Sequence, residues 1–502
     1  FFVLVGAQRA VEQLSAETIK PLVIVGLVVL GLFLATYFLA NKREYDYLMD
    51  QNVFYSALFL ITYIGIISLG LLKGSNRPTL FALILCMGMS VEAGLNTRFM
   101  VQGVKADWNY PLRSVYSESY DDIQQLVDAA KAKQSSFYRM ANLDSKSSNE
   151  SFNFGYSGID QFSSIRNRRA LSYLNQAGFR SEGTNLTVNY GNNTLLMDSL
   201  FGLTYNLSKE DPQKFGFTQV NQQGAYGLYE NAYALPLGIW TDEGIYEEKH
   251  VNNQTALFNY LSGDTHEYVQ FTQPVVQKTD NVQIEEEGAF TYYSAEQPDK
   301  DMTIEWTVST PAQVQPYLSL YAEDNSMMAE ATAEVTVGGV SRTYQMKKVN
   351  QYYNLGYMPE AGTTTVKVTF KGTSVIRLLT PDVMLLRTDA FQHSAQAIQQ
   401  KGVDLKVEKT RVSAEVTLEQ EQVLFTTIPY DKGWEANIDG QRVETKPVQG
   451  GLMSLSVPKG THTLVLSYRP QGFRLGVGLF VGCLIVFVSY LVYVRKRKGT
   501  RT

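Results

Sequence analysis

The last apolar run, FRLGVGLFVGCLIVFVSYLVYV (Phe473–Val494), constrains this chain more than any other stretch. It is apolar on every face, so no side is left for water, and it is close to the roughly 20 residues that a bilayer core requires. Arg495, Lys496, Arg497 and Lys498 follow at once. Such a basic cluster marks the cytoplasmic end of a span. What precedes it has a different character. YDKGWEANIDGQRVETKPVQGGLMSLSVPKGTHTLVLSYRP (Tyr430–Pro470) alternates apolar with polar residues and is punctuated by Gly and Pro, as hairpins require. A small β module therefore runs almost without a linker into a membrane helix.

Three further apolar runs, Pro21–Ala40, Val53–Leu72 and Thr79–Gly94, read as spans, the third being the shortest. Counting back from the basic tail puts residues 97–470 on the outer face and the C-terminus in the cytoplasm. The KGSNRP loop, with Lys73 and Arg77, then lies inside, as the positive-inside rule prefers. Lys42 and Arg43 fall on the disfavoured outer side, and the stronger C-terminal signal decides the orientation. The opening FFVLVG reads as the tail of an earlier membrane helix.

The 502 residues leave room for about two to four domains. Nothing in a net charge of −5 suggests nucleic acid, which would call for a basic face. Cys86 and Cys483 both lie in apolar runs and read as small packing residues. The long polar middle has no cysteine, so it must fold from its own core without disulfides.

Within that middle, SYDDIQQLVDAAKAKQ (Ser119–Gln134) predicts an amphipathic helix with Ile123, Leu126, Val127 and Ala130 on one face. Ser119 and Asp122 stand at capping-box spacing. FYRMAN predicts a strand, Arg166–Phe179 a helix, and LLMDSLFGLTYNLS a helix turning into a strand. Helix and strand alternate to about residue 240, which suggests an α/β layer. From about residue 265 short alternating segments take over (MTIEWTVST, AEVTVGG, TTTVKVTF), the pattern of an antiparallel sandwich. Such sandwiches bind sugars through exposed aromatics or serve as scaffolds. In the last module Asp439-Gly440 predicts a tight hairpin, and Trp434, Ala436 and Ile438 an inward face.

Catalytic constellations are sparse. His250, His266, His393 and His462 show no metal-ligand spacing, and HExxH, CxxC, G-x-S-x-G and phosphate-loop motifs are absent. No metal site is expected and no catalytic residue is assigned. The candidate substrate-binding residues form two groups. Glu92 lies near the outer end of the third apolar run, where an acid is costly without water or a partner. Arg98 is the expected partner, and Lys105 and Asp107 follow on the same outer side. This is either a structural pair at the helix exit or a polar site for a lipid-linked head group. The second group, in NFGYSGIDQFSSIRNRR, is Tyr156, Asp160, Ser163 and Ser164, which could bind sugar hydroxyls. Equally, Gly155 and Gly158 could merely shape a tight loop there.

The order of FYRMAN, NFGYSGIDQFSS, LLMDSLFGLTYNLS and LYENAYALPLGI, followed by the terminal YDKGWEANIDGQ…VPKGTHTLVLSYRPQGFRLG, resembles the YfhO-type family of large bacterial membrane proteins. The resemblance runs from the spans to the C-terminus. It implies a GT-C-like glycosyltransferase that takes a sugar from a lipid-phosphate donor and transfers it, on the outer face, to a cell-envelope polymer such as teichoic or lipoteichoic acid in Gram-positive bacteria. The lipid-phosphate-linked sugar would be the donor substrate, no cofactor is assigned, and the partners would be membrane lipid, lipid-linked sugar and the envelope polymer. In GT-C enzymes the catalytic carboxylate belongs to an early external loop, expected upstream of these residues. Arg98 or Lys105 would neutralise phosphate. Asp160 stands where the family more often has Ser.

The expected architecture is a partial membrane α-helical bundle with large extracytoplasmic α/β and all-β sandwich domains and a C-terminal transmembrane helix. Its parts are 1–96, transmembrane helices ending a longer multi-span region; 97–260, an α/β domain; 261–392, an antiparallel β-sandwich; 393–470, a small membrane-proximal β domain read as a rigid pedestal; and 471–502, a transmembrane helix with a basic tail. Two other readings remain open, a non-enzymatic envelope protein that binds or assembles glycan and an accessory to a transporter or flippase.

Overall fold

The computed structural model describes residues 19–39, 50–72, 78–107, 117–164, 193–251, 253–321, 331–346 and 352–499, with single positions and runs of two or three residues between them. The chain divides into two compact units, 1–116 and 117–502.

The first unit contains the helices Ile19–Leu39, Asp50–Leu72 and Pro78–Asp107, which pack in chain order. A Cβ on Gly26 would lie 2.8 Å from the Ile64 side chain, so a residue without one lets the first two helices approach closely. Five hydroxyls on these helices are satisfied locally. Thr36, Thr62, Ser68, Ser90 and Thr97 each donate to the carbonyl four residues back. That removes the cost of a free hydroxyl on an apolar helix.

By length and composition, among the described residues one helix suffices to cross a membrane, Phe473–Arg495 in the second unit. Val23–Leu39 and Gln51–Ile66 are shorter apolar stretches. The helix at Pro78–Asp107 is long, but its second half carries Glu92, Arg98, Lys105 and Asp107.

The second unit begins with the helix Tyr120–Lys133, which buries Ile123, Leu126, Val127 and Ala130. Ser119 stands at its N-cap, but its side chain makes no capping hydrogen bond, so the expected capping box does not form. This helix covers a four-stranded sheet in which Arg139–Asn142 runs parallel to Leu203–Ser208, and Tyr226–Asn231 and Phe217–Gln223 continue antiparallel. The LLMDSLFGLTYNLS segment is the helix Leu195–Leu200 followed by that strand at Leu203. Most of the helix expected at 166–179 lies outside the described residues.

Two sandwiches follow. In the first, the five-stranded sheet centred on Met302–Thr310 and Gly362–Lys371 faces the four-stranded sheet that holds Val314–Ser319 and Val383–Arg387. Met302, Ile304, Trp306 and Val308 alternate into their shared core, with Val366, Val368 and Phe370 opposite them. In the second, the sheets built on Gln422–Pro429 and on Gly460–Tyr468 enclose Leu424, Met453, Leu455, Ala436, Leu464 and Leu466.

The pieces are joined by a central core that sequence boundaries do not respect. The short strand Gly238–Thr241 pairs with Gln422–Pro429 and sits in the second sandwich. The strand Gln422–Pro429 is buried along most of its length because one face meets the sandwich core and the other, through Val423 and Phe425, meets helices. A strand covered on both faces reads as a near-continuous apolar run rather than an alternating one, and VLFTTI follows this except at the buried Thr426 and Thr427. The helices Leu195–Leu200, Gln254–Ser262 and Thr388–Gln399 fill the space between this sheet and the outer face of the first sandwich, at Tyr317, Met384 and Leu386.

Candidate functional site

In the first unit, the Tyr63 hydroxyl donates to Glu92 Oε2 at 2.7 Å. This bond joins the second and third helices, and Gly88, one turn before Glu92, lies against the Tyr63 ring. The expected partner, Arg98, makes no ion pair with Glu92. Six residues on an α-helix amount to about 600° of rotation, which leaves the two side chains about 120° apart. Arg98 is exposed, so the helix presents a tyrosine-held acid on one face and, on another, a cation without an ion-pair partner among the described residues. The helix continues through Asp107, and the side chains of Lys105 and Asp107 lie outside the described residues.

The second group of candidates lies in the other unit. The short helix Glu150–Phe154 ends on Gly155 at φ 66°, so this glycine serves the C-cap. Tyr156 turns back onto the core under the helix Tyr120–Lys133, and burial, with Glu150 and Asp160 near it, holds its hydroxyl protonated. Asn149 clamps Phe162, accepting from its N–H at 2.8 Å and donating to its carbonyl at 3.1 Å. Asp160 turns inward and accepts from the Tyr190 N–H at 2.5 Å. Burial pushes its carboxyl up to about 6, partly opposed by that hydrogen bond. Ser163 is half-buried and Ser164 exposed. Tyr156 and Asp160 thus lie near each other, Tyr156 packed against the core and Asp160 bonded to the Tyr190 backbone.

Behind Tyr190 lies a polar centre within the core. Its hydroxyl donates to Asp198 Oδ1 at 2.9 Å, and Lys214 Nζ lies 2.8 Å from Asp198 Oδ2, with both charged side chains buried. Lys214 also donates to Asn206 Oδ1. The enclosed Arg139 guanidinium bonds the Phe201 carbonyl and both the hydroxyl and the carbonyl of Thr427, joining the first sheet to the last sandwich. Desolvation lowers its guanidinium to about 10.

The structure also gathers residues that spacing alone does not connect. Asp264 and His266 follow the left-handed Gly263 that ends the helix Gln254–Ser262, and His393 lies on the helix Thr388–Gln399. The two imidazole rings are 5.5 Å apart, with the Asp264 carboxylate facing both. The only sequence trace of this is the Asp-Thr-His triplet after a helix-ending glycine, since His393 arrives from a distant helix. A separate cleft of about 670 Å³, lined by Gln134, Phe137, Glu230, Asn231, Gln399 and Asp404 among others, opens between the first sheet and the last sandwich.

Against known proteins, the chain is 24% identical over 370 residues to the uncharacterized protein YfhO of Bacillus subtilis (strain 168), a match covering 69% of this chain and 42% of that one. The chain thus spans less than half the length of this curated relative. Among solved structures, the arabinofuranosyltransferase AftD from Mycobacteria matches 36% of this chain and 14% of its own, at 16% identity and a TM-score of 0.15. Truncated AlyQ with CBM32 and alginate lyase domains matches 43% of this chain and 83% of its own, at 10% identity and a TM-score of 0.16. Scores this low transfer neither fold nor activity. The family model described as bacterial membrane protein YfhO matches residues 1–480, and the chain belongs to that family.

Proposed function

We propose that this chain acts in a multi-pass, GT-C-like membrane glycosyltransferase that moves a sugar from a lipid-phosphate donor to a cell-envelope polymer, such as teichoic or lipoteichoic acid, on the outer face. Residues 97–470 would lie outside and the basic C-terminal tail in the cytoplasm. One observation carries the reading, the Glu92 carboxylate held by Tyr63 within apolar helices. An ionisable group is expensive in that setting and points by default to a substrate path. Glu92 would hydrogen-bond a sugar or acceptor hydroxyl, and Arg98 and Lys105 would counter the charge of the leaving lipid phosphate. Transfer also needs a base for the acceptor hydroxyl, and none of the residues named here is assigned that role.

The test is compositional. A strain lacking the protein should lose sugar from its envelope polymer. The wild-type gene should restore it, and Glu92→Gln should restore it poorly at equal membrane abundance. Full polymer glycosylation in the deletion strain would sink the proposal.

The cleft at Gln134 and Asp404 favours a second reading, a glycan-binding or assembly platform. It has the polar lining and the aromatic wall of Phe137 that a saccharide needs. In that case the purified chain binds envelope saccharide, and the deletion changes polymer placement while its sugar content stays intact.

A further inference from the structure

We infer that Asp264, His266 and His393 form a site for one divalent transition-metal ion of the zinc type. Asp264 Oδ2 lies 3.6 Å from His266 Nε2, and Asp264 Oδ1 lies 3.7 Å from His393 Nε2. Both separations are too long for a hydrogen bond. They are close to the edge of a tetrahedron of about 3.3 Å built from metal–ligand bonds of about 2.0–2.1 Å. One ligand atom from each of the three residues falls within 4.8 Å of the other two.

His266 Nε2 supplies a second observation. It is buried and makes no hydrogen bond among the described residues. A buried imidazole nitrogen left without a partner is costly, and an ion between it and Asp264 would satisfy it.

The surroundings hold these ligands in place. Asn259 grips the His266 backbone from both sides, accepting from its N–H at 2.9 Å and donating to its carbonyl at 2.9 Å. Asp264 Oδ2 accepts from Ser394 Oγ at 2.6 Å, and Ser394 accepts from the Tyr268 hydroxyl at 2.7 Å. Ser394 and Tyr268 are fully buried, so the carboxylate is oriented by a rigid outer layer of the kind that tunes metal sites. His393 is carried by a helix anchored in the core through Ala390, Phe391 and Ile398. Two imidazoles and one carboxylate select zinc-like ions over calcium, which prefers a shell of oxygens. With three protein ligands, a fourth position remains for water or another oxygen donor. Bound there, the ion would tie the turn after Gln254–Ser262 to the helix Thr388–Gln399.

The experiment uses the full chain purified in detergent and stripped with EDTA. After incubation with ZnCl₂ and desalting, elemental analysis should find one zinc per chain, and CoCl₂ should give the visible absorption of a tetrahedral site. His393→Ala, an exposed position, should keep the melting temperature of the stripped protein and weaken zinc binding by about 100-fold or more, and Ser394→Ala should weaken it by about 10–100-fold. A chain that returns without zinc, that prefers CaCl₂, or whose His393→Ala and His266→Ala variants both bind like the wild type would overturn the site.

Discussion

His462 Nδ1 lies 2.7 Å from Asp439 Oδ2, and its Nε2 lies 3.3 Å from the Lys459 carbonyl. Both ring nitrogens face acceptors, so the doubly protonated imidazolium satisfies both. The Asp439 hydrogen bond, and more weakly the Lys459 carbonyl, raise the His462 pKa, while His462 and the Thr463 N–H lower that of Asp439. The histidine's contribution is full below its unfolded value and fades as pH rises through the raised one. The aspartate's is present above its unfolded value and fades as pH falls. His462→Gln should therefore lower the melting temperature most near pH 5–6 and hardly at pH 9. Equal losses at both pH values would show that the pair carries no proton linkage.

The buried pair of Lys214 and Asp198 leads to a larger effect. Lys214→Met leaves the Asp198 carboxylate enclosed without its cation, which should cost about 3–5 kcal/mol. Lys214→Met combined with Asp198→Leu should recover part of that loss. Denaturant titrations of the single and double variants measure the coupling, and additive losses would argue against it.

Asp160 carries the opposite sign. Its folded carboxyl is pushed up to about 6 from an ordinary 3.8, so the folded state binds the extra proton between those values. Stability then falls as pH rises through this window, by at most about 3 kcal/mol at neutral pH. Asp160→Asn keeps an oxygen for the Tyr190 N–H and removes the penalty. It should melt above the wild type at pH 7.5 and match it near pH 4. A variant less stable at pH 7.5 would show that the charge is used by a partner.

Only Arg469, Pro470, Gln471 and Gly472 separate the strand Gly460–Tyr468 from the helix at Phe473. Arg469 N–H bonds the Gly433 carbonyl at 2.9 Å, and Arg474 stands 3.9 Å from Glu435. If this short junction positions the β unit for function, a long Gly/Ser insertion after Pro470 should reduce polymer glycosylation while leaving the melting temperature unchanged. Unchanged glycosylation would reduce the junction to a tether.

Legibility followed sequence distance. The C-terminal apolar helix, the buried face of Tyr120–Lys133 and the turn at Asp439-Gly440 each depend on residues within one element, so periodicity and turn chemistry reveal them. The Tyr63 hydroxyl on Glu92 was less accessible, because pairing between helices depends on rotation about each axis rather than on nearness in sequence. The placement of Gly238–Thr241 beside Gln422–Pro429 was hidden for a different reason. A strand of four residues carries too few alternations to announce its partner. The meeting of His266 with His393 required the helix Thr388–Gln399 to pack back against the end of Gln254–Ser262, a tertiary event without a local signature.

The position of Gly460–Tyr468 has a mechanical consequence. It is the middle strand of five, paired along nearly its whole length with Arg411–Leu418 on one side and, over its C-terminal half Leu464–Tyr468, with Trp434–Ile438 on the other. Tension from the C-terminal helix would enter at Tyr468 and run along the strand axis. Two rows of hydrogen bonds would then carry the load together in shear, instead of opening one after another as at a sheet edge. The chain thus fastens its β unit through the strand best placed to resist being pulled out.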